Sequence, residues 1–142
     1  LTIDGVPAGK LLERESAEHD GSCVIVLATD APLTHESLRR LARRAFAGMA
    51  RTGADFSNGS GDYAIAFSTH PALRQGRGVM KGILPVRPLD GGELDPLFQA
   101  AAEAAEEAII SSLTAAATVS GWRGHRVEAI DPESLRKLFR KR

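Results

Sequence analysis

The 142-residue sequence has one cysteine, one tryptophan, one tyrosine and no formal net charge. A single cysteine excludes an internal disulfide framework. Lys plus Arg number 18 and so do Asp plus Glu, so no charge imbalance argues for nucleic acid or a membrane surface as partner. Long apolar runs are missing too: Val24 to Ala28 is far too short to span a bilayer. No basic-then-apolar leader opens the chain, and a cytoplasmic location is expected. The first residue is Leu1, not Met, which implies a fragment or a processed product. What is present is ordinary for a globular domain: 43% hydrophobic and 25% charged residues, in a chain long enough for one real core.

Strand-like pieces are expected at Leu1 to Asp4 and Lys10 to Leu12, separated by a turn at Gly5 to Gly9. Glu13 to Gly21 is polar and aperiodic and reads as an exposed, easily cut loop. Ser22 to Thr29 is a continuous β-branched-rich run, the pattern of a strand buried on both faces. Thr34 is placed as the N-cap of a helix whose stripe is Leu38, Leu41, Ala42, Ala45, Phe46 and Met49, with Gly53 as its stop. Arg39, Arg40, Arg43 and Arg51 fall off that stripe and read as a solvated face. A second strand from Tyr63 to Thr69 alternates large residues (Tyr63, Ile65, Phe67) with small ones (Ala64, Ala66, Ser68). Residues 70 to 92 form a long loop with a short strand near Val79 to Leu84. Asp95-Pro96 is expected to cap a long alanine-rich helix reaching about Thr118. Arg126 to Ile130 reads as an edge strand, and Asp131-Pro132 caps a last short helix. The order of elements gives a mixed α+β layered domain.

Three groups of residues invite chemistry. Ser22 follows Gly21 directly before the first core strand, where the ordinary reading is a turn. None of His19, His35, His70 and His125 stands at a spacing that would serve it, and the G-x-S-x-G elbow is absent. A base exists without any side chain if the chain is cut between Gly21 and Ser22. The new α-amine, with an unperturbed pKa of roughly 7.7–8.0, then lies beside its own hydroxyl. Glycine at the attacked carbonyl leaves it uncrowded. The second group, Asn58-Gly59-Ser60-Gly61-Asp62, reads as a tight turn with Asn58 and Gly59 supplying positive φ, or as a weak phosphate cradle lacking its lysine. A third reading pairs Ser60 with Asp62 on one side of an extended segment, to orient an amine and relay a proton. Cys23 reads as a packed thiol. No metal-ligand spacing occurs, so no metal and no cofactor are expected.

The blocks "GSCVIVLATDAPL", "LRRLARRAFAGMARTG" and "SNGSGDYAIAFST", in that order, resemble the L-aminopeptidase/D-esterase (DmpA-like) family, which includes the β-peptidyl aminopeptidases. The tail "TVSGWRGHRVEAI" is similar to that family's C-terminal end. The resemblance implies an αββα sandwich of the N-terminal-nucleophile hydrolase kind and a precursor that cleaves itself between Gly and Ser. Carried onto this chain, residues 1–21 end the larger subunit at Gly21, and residues 22–142 form the smaller one. Ser22 would be the nucleophile, and Ser60 and Asp62 would position its amine. Some members have Glu at the position of Asp62. The oxyanion-hole asparagine and most of the pocket would lie upstream of Leu1.

The function so implied is an aminopeptidase or amidase that removes N-terminal residues from small peptides, amides or esters through an acyl-enzyme on Ser22. Its partners would be the larger subunit of the same precursor and the small substrate, in a homo-oligomer of heterodimers, with no nucleic acid and no membrane. Two rivals are an acyltransferase of the ornithine acetyltransferase type, whose relatives use threonine, and a non-catalytic scaffold of the same fold. The substrate side chain, the choice between α- and β-peptides and stereochemistry are not legible in this stretch.

Overall fold

A strand, a helix and a second strand parallel to the first make the centre of the structure, a computed structural model that describes residues 1–12, 21–73, 89 and 91–140. After a four-residue helix α1 (Ala8–Leu11), β1 (Val24–Thr29) leads through α2 (His35–Arg51) to β2 (Tyr63–Ser68). The strands pair in parallel from Val24 opposite Tyr63 to Thr29 opposite Ser68. The crossover helix starts where its chemistry dictates: the Thr34 hydroxyl oxygen accepts from the Ser37 N–H at 3.2 Å. Gly53, with φ of 96°, ends it, a left-handed conformation that costs glycine little. Four of the five arginines of α2 find partners in the chain. Arg39 pairs with Glu36, Arg51 pairs with Glu106, and the guanidinium groups of Arg40 and Arg44 lie 5.0 and 4.7 Å from the Phe98 ring centroid.

Only one face of the β1–β2 sheet is covered by described residues. Ile25, Leu27, Ala64 and Ala66 are half-buried towards the helices, as the small alternating residues of β2 led one to expect. Val24, Val26, Tyr63, Ile65 and Phe67 on the other face are 45% to 67% exposed. The expectation that β1 is buried on both faces is therefore corrected, and β1 begins at Val24, not Ser22. Composition reports what a surface is suited to touch, not whether this stretch of chain supplies the contact.

The core is Leu33, Leu41, Leu94, Phe98 and Ala101, with Leu27, Leu38, Ala66 and Leu97 packed against it. Leu94, Phe98 and Ala101 come from α3 (Gly91–Thr114), which begins a turn earlier than expected and holds Pro96 inside it. Leu94 explains the extra turn. It lies one helical turn from Phe98 on the same face and is 2% exposed, so its burial offsets the hydrogen bond that Pro96 cannot donate. The helix also stops at Thr114, short of Thr118.

Helices α2 and α3 meet along a seam of small residues: Ala42, Ala45 and Gly48 against Ala101, Ala102 and Ala105, all buried. A Cβ on Gly48 would collide with the Ala102 carbonyl oxygen and come within 2.9 Å of the Glu106 nitrogen. Backbone cannot yield as a side chain can. Gly48→Ala is expected to destabilise the protein by about 3 kcal/mol, despite alanine's better helix propensity, because it overpacks this seam. Thermal unfolding checks this, and an unchanged or raised Tm would refute it.

At the start, Asp4 and Gly5 both take positive φ, and Ile3 bridges to Val6. A left-handed pair of this kind makes a tight hairpin turn, so the chain reverses after Ile3 and enters α1 where a second strand, Lys10 to Leu12, was expected. The edge strand expected from Arg126 to Ile130 is β4 (Arg126–Val127), paired antiparallel with β3 (Val119–Ser120). The final helix α4 (Pro132–Phe139) is capped as expected by Asp131, whose carboxylate accepts from the N–H groups of Glu133 and Ser134. The Ser134 hydroxyl, with those two backbone bonds behind it, holds its carboxyl below the usual range. The loop at 13–20 and the strand near Val79 to Leu84 lie outside the described residues. No helix among the described residues is long and apolar enough to cross a membrane.

Candidate active site

Parallel pairing decides which residues meet. In a parallel ladder both strands start at the same end of the sheet, so residues preceding β1 lie beside those preceding β2. With Val24 opposite Tyr63, stepping back two residues on each strand brings Ser22 beside Gly61. The stretch from Ser60 to Asp62 therefore flanks the junction between Gly21 and Ser22, across 39 residues of sequence.

The contacts form one connected set. The Gly61 N–H donates to Ser22 Oγ at 3.1 Å. The Cys23 N–H donates to Asp62 Oδ1 at 2.9 Å, and the Tyr63 N–H to the Cys23 carbonyl, also at 2.9 Å. Ser60 Oγ lies 2.6 Å from Asp62 Oδ2 and 2.8 Å from the carbonyl oxygen of Gly21. A hydroxyl has one proton, so Ser60 donates to one of these acceptors at a time. Asp62 is thus fixed at both oxygens: one takes the backbone N–H just after Ser22, the other faces the hydroxyl that reaches the carbonyl just before it. The peptide bond between Gly21 and Ser22 is held from both sides.

A serine hydroxyl, a donor within reach of the neighbouring glycyl carbonyl and an anchored carboxylate are the parts an acyl shift at this bond needs. Residues 1–127 match the sequence pattern of peptidase family S58. The chain belongs to peptidase family S58. It is 42% identical over 125 residues to the β-peptidyl aminopeptidase BapA of Sphingosinicella microcystinivorans, covering 88% of this chain and 31% of that protein. Among solved structures, it is similar to the L-aminopeptidase D-Ala-esterase/amidase of Ochrobactrum anthropi, with a TM-score of 0.87 and 38% identity. That match covers 99% of this chain and 39% of the other, which is described as a prototype for the serine aminopeptidases and a variant of the Ntn hydrolase fold. A Burkholderia β-aminopeptidase matches with a TM-score of 0.73 and 36% identity, covering 95% of this chain and 38% of the other. The chain spans about a third of the length of the curated relatives it matches. Its α+β elements are a share of the Ntn hydrolase fold.

The candidate site also holds features that the sequence reading missed. Neither Asn58 nor Gly59 has positive φ; the left-handed residue of this loop is Phe56, with φ of 54°. The turn is made by the Ser60 N–H donating to the Ser57 carbonyl at 2.9 Å, with Asp55 Oδ1 accepting from the Ser57 N–H. Phe56 pays for its strain in contact: its ring packs edge-on against Phe46 of α2, with centroids 6.0 Å apart. These two rings, with Ser60 and Asp62, line a cavity of about 380 Å³ on the helix side. The Gly61 N–H was missed because a backbone donor leaves no residue type to notice; the signal was positional, two residues before each strand. Cys23 is half-buried and free, and it contributes its backbone to the site. Among the described residues, no three His, Cys, Asp or Glu side chains come together as a metal site.

Proposed function

We propose that this chain is the C-terminal portion of a self-processing aminopeptidase, with Ser22 as the nucleophile of both processing and catalysis. The observation that carries the reading is the Ser60 hydroxyl 2.8 Å from the Gly21 carbonyl oxygen, across the bond to be cut. Attack of Ser22 Oγ on the Gly21 carbonyl carbon puts negative charge on that oxygen, where the Ser60 O–H is placed to donate. Collapse breaks the C–N bond, the Ser22 nitrogen takes up the hydroxyl proton, and an ester links Gly21 to Oγ. Water opens the ester, leaving Gly21 as a carboxylate and Ser22 with a free amine.

The freed amine then has neighbours already in place. Gly21 departs with its carbonyl, so the Ser60 hydroxyl loses that acceptor, and Ser60 Oγ and Asp62 Oδ2 would then face the new amine. In turnover the amine takes the Oγ proton as Oγ attacks the substrate carbonyl, then passes it to the leaving amine. Water releases the acyl group by the same path. The uncovered sheet face supports a partner for the smaller subunit. Val24, Val26, Ile65 and Phe67 are apolar beyond what solvent favours, and the larger subunit from the same precursor would bury them. Small peptides, amides or esters are the proposed substrates, and an oligomer of such heterodimers the proposed assembly.

The test is the intact mass of the full-length protein. Two fragments are expected, one of them beginning Ser22-Cys23-Val24. An active preparation containing only uncut precursor would refute self-processing, and an inactive uncut one would favour a scaffold.

A further inference from the structure

One side chain beside Ser22 is unused by this chemistry. Tyr63, the sole tyrosine, is the first residue of β2, at the end of the sheet where Ser22 lies. Side chains alternate along a strand, so Tyr63 shares its face with Val24 across the ladder, and Ser22 precedes Val24 by two. Tyr63 and Ser22 therefore project from the same, uncovered face, whereas Ser60 and Asp62 approach from the helix side. Gly61 shows how close they are. A Cβ built there would lie 3.4 Å from Ser22 Oγ and 3.9 Å from Tyr63 Cε2. The nucleophile and the ring edge are thus two van der Waals contacts apart, and the space between them is the space a side chain at 61 would fill.

The ring is also unlike its neighbours on that face. Val24, Val26, Ile65 and Phe67 have no polar atom, as suits burial under another layer. Tyr63 carries a hydroxyl that bonds to no described residue, and it is 67% exposed. A tyrosine at the end of an apolar face suits a boundary, with its ring against apolar matter and its hydroxyl in water. Here the boundary is the mouth of the site.

Resting on the reading of Ser22 as nucleophile, we infer that Tyr63 is a specificity-determining residue whose ring forms one wall of the subsite for the side chain of the acyl residue. The acyl carbon must sit in bonding range of Ser22 Oγ, on the open side. Its substituent then projects over Gly61 and along the Tyr63 ring. Aromatic and large aliphatic side chains would gain contact there, and a side chain of one hydrogen or one methyl would gain almost none. Processing makes no use of this wall, because the acyl residue in that step is Gly21, which has no side chain.

The experiment uses the full-length enzyme and p-nitroanilides of one aminoacyl series, α or β, whichever the wild type hydrolyses, with phenyl-bearing and methyl-bearing members compared. Tyr63→Ala is expected to self-cleave as the wild type does. Its kcat/KM for the phenyl-bearing substrate should fall about tenfold relative to the methyl-bearing one, and Tyr63→Phe should keep the wild-type ratio. A processed, active Tyr63→Ala with an unchanged ratio overturns the inference and leaves the proposed function standing. If Tyr63→Ala fails to fold or to process, Tyr63→Leu replaces it. Loss of the preference for phenyl over a leucine-like side chain supports the wall, and an equal fall for every substrate identifies Tyr63 as packing and overturns it. A wild-type precursor that neither cleaves nor hydrolyses any member sinks the proposed function and this inference together.

Discussion

Ser22→Ala is expected to leave the precursor as a single chain and to lower hydrolysis by at least about 10⁴-fold, the scale of losing a nucleophile. In the proposed scheme both losses follow from one atom, since Oγ would attack Gly21 in processing and the substrate afterwards. The neighbouring substitution is the control. Cys23 serves the site through its backbone, its N–H on Asp62 and its carbonyl receiving the Tyr63 N–H. Alanine keeps both groups. Cys23→Ala should therefore process normally and retain turnover within about twofold, as expected for a change away from the reacting atoms. Intact mass and a rate on one chromogenic amide check the pair. An active Ser22→Ala enzyme, or a folded but inert Cys23→Ala enzyme, would reverse the assignment.

Asp62→Asn should slow processing and turnover by about a hundredfold or more, the range for losing a positioned proton-handling group. The argument is an inventory of lone pairs. Asp62 accepts from the Cys23 N–H at one oxygen and faces Ser60 Oγ at the other. Asparagine has one oxygen and one NH₂, so it satisfies the backbone or the hydroxyl as acceptor but not both. If its oxygen keeps the Cys23 N–H, its NH₂ turns on Ser60 Oγ and alters the hydroxyl that faces Gly21. Ser60→Ala removes that donor outright and should cost processing about 10²–10³-fold, as for other donors to a developing oxyanion.

A pH profile separates this role from simple loosening of the loop. In the proposed processed enzyme, a carboxylate beside the freed Ser22 amine would favour its protonated form. The amine must be neutral to act as base, so activity rises as pH passes its pKa. Without the carboxylate the amine loses its proton sooner. The acid limb of kcat/KM in Asp62→Asn should therefore move to lower pH, while Ser60→Ala should shift it little. A limb that stays in place in Asp62→Asn would show that the carboxylate only builds the turn.

Much of the local structure was legible because neighbouring residues decide it. Thr34 caps α2 and Asp131 caps α4 because a short polar side chain before a helix satisfies N–H groups a few residues on, wherever that helix sits. The small residues of β2 face the helices because alternation is a property of the strand itself. The candidate site was legible through three spaced blocks resembling a known family, and not through any single motif, since Gly-Ser before a strand is commonplace.

Other features depend on atoms distant in sequence, and these only the tertiary structure decided. Asp95-Pro96 carries every mark of a helix start, yet α3 begins at Gly91, because Leu94 finds a buried place beside Phe98 and Leu41. Asn58 and Gly59 are the residues that tolerate positive φ most readily, yet Phe56 takes it, and its packing on Phe46 supplies the reason. The strand at Val24 has the composition of a two-sided core, but among the described residues helices cover only one of its faces. Ser60 and Asp62 meet the Gly21–Ser22 bond because β1 and β2 run parallel and in register, a pairing set by how α2 folds back and packs on one face of the two strands. Propensity acts over a few bonds; burial and register act across the whole chain, and where the two disagreed, burial and register won.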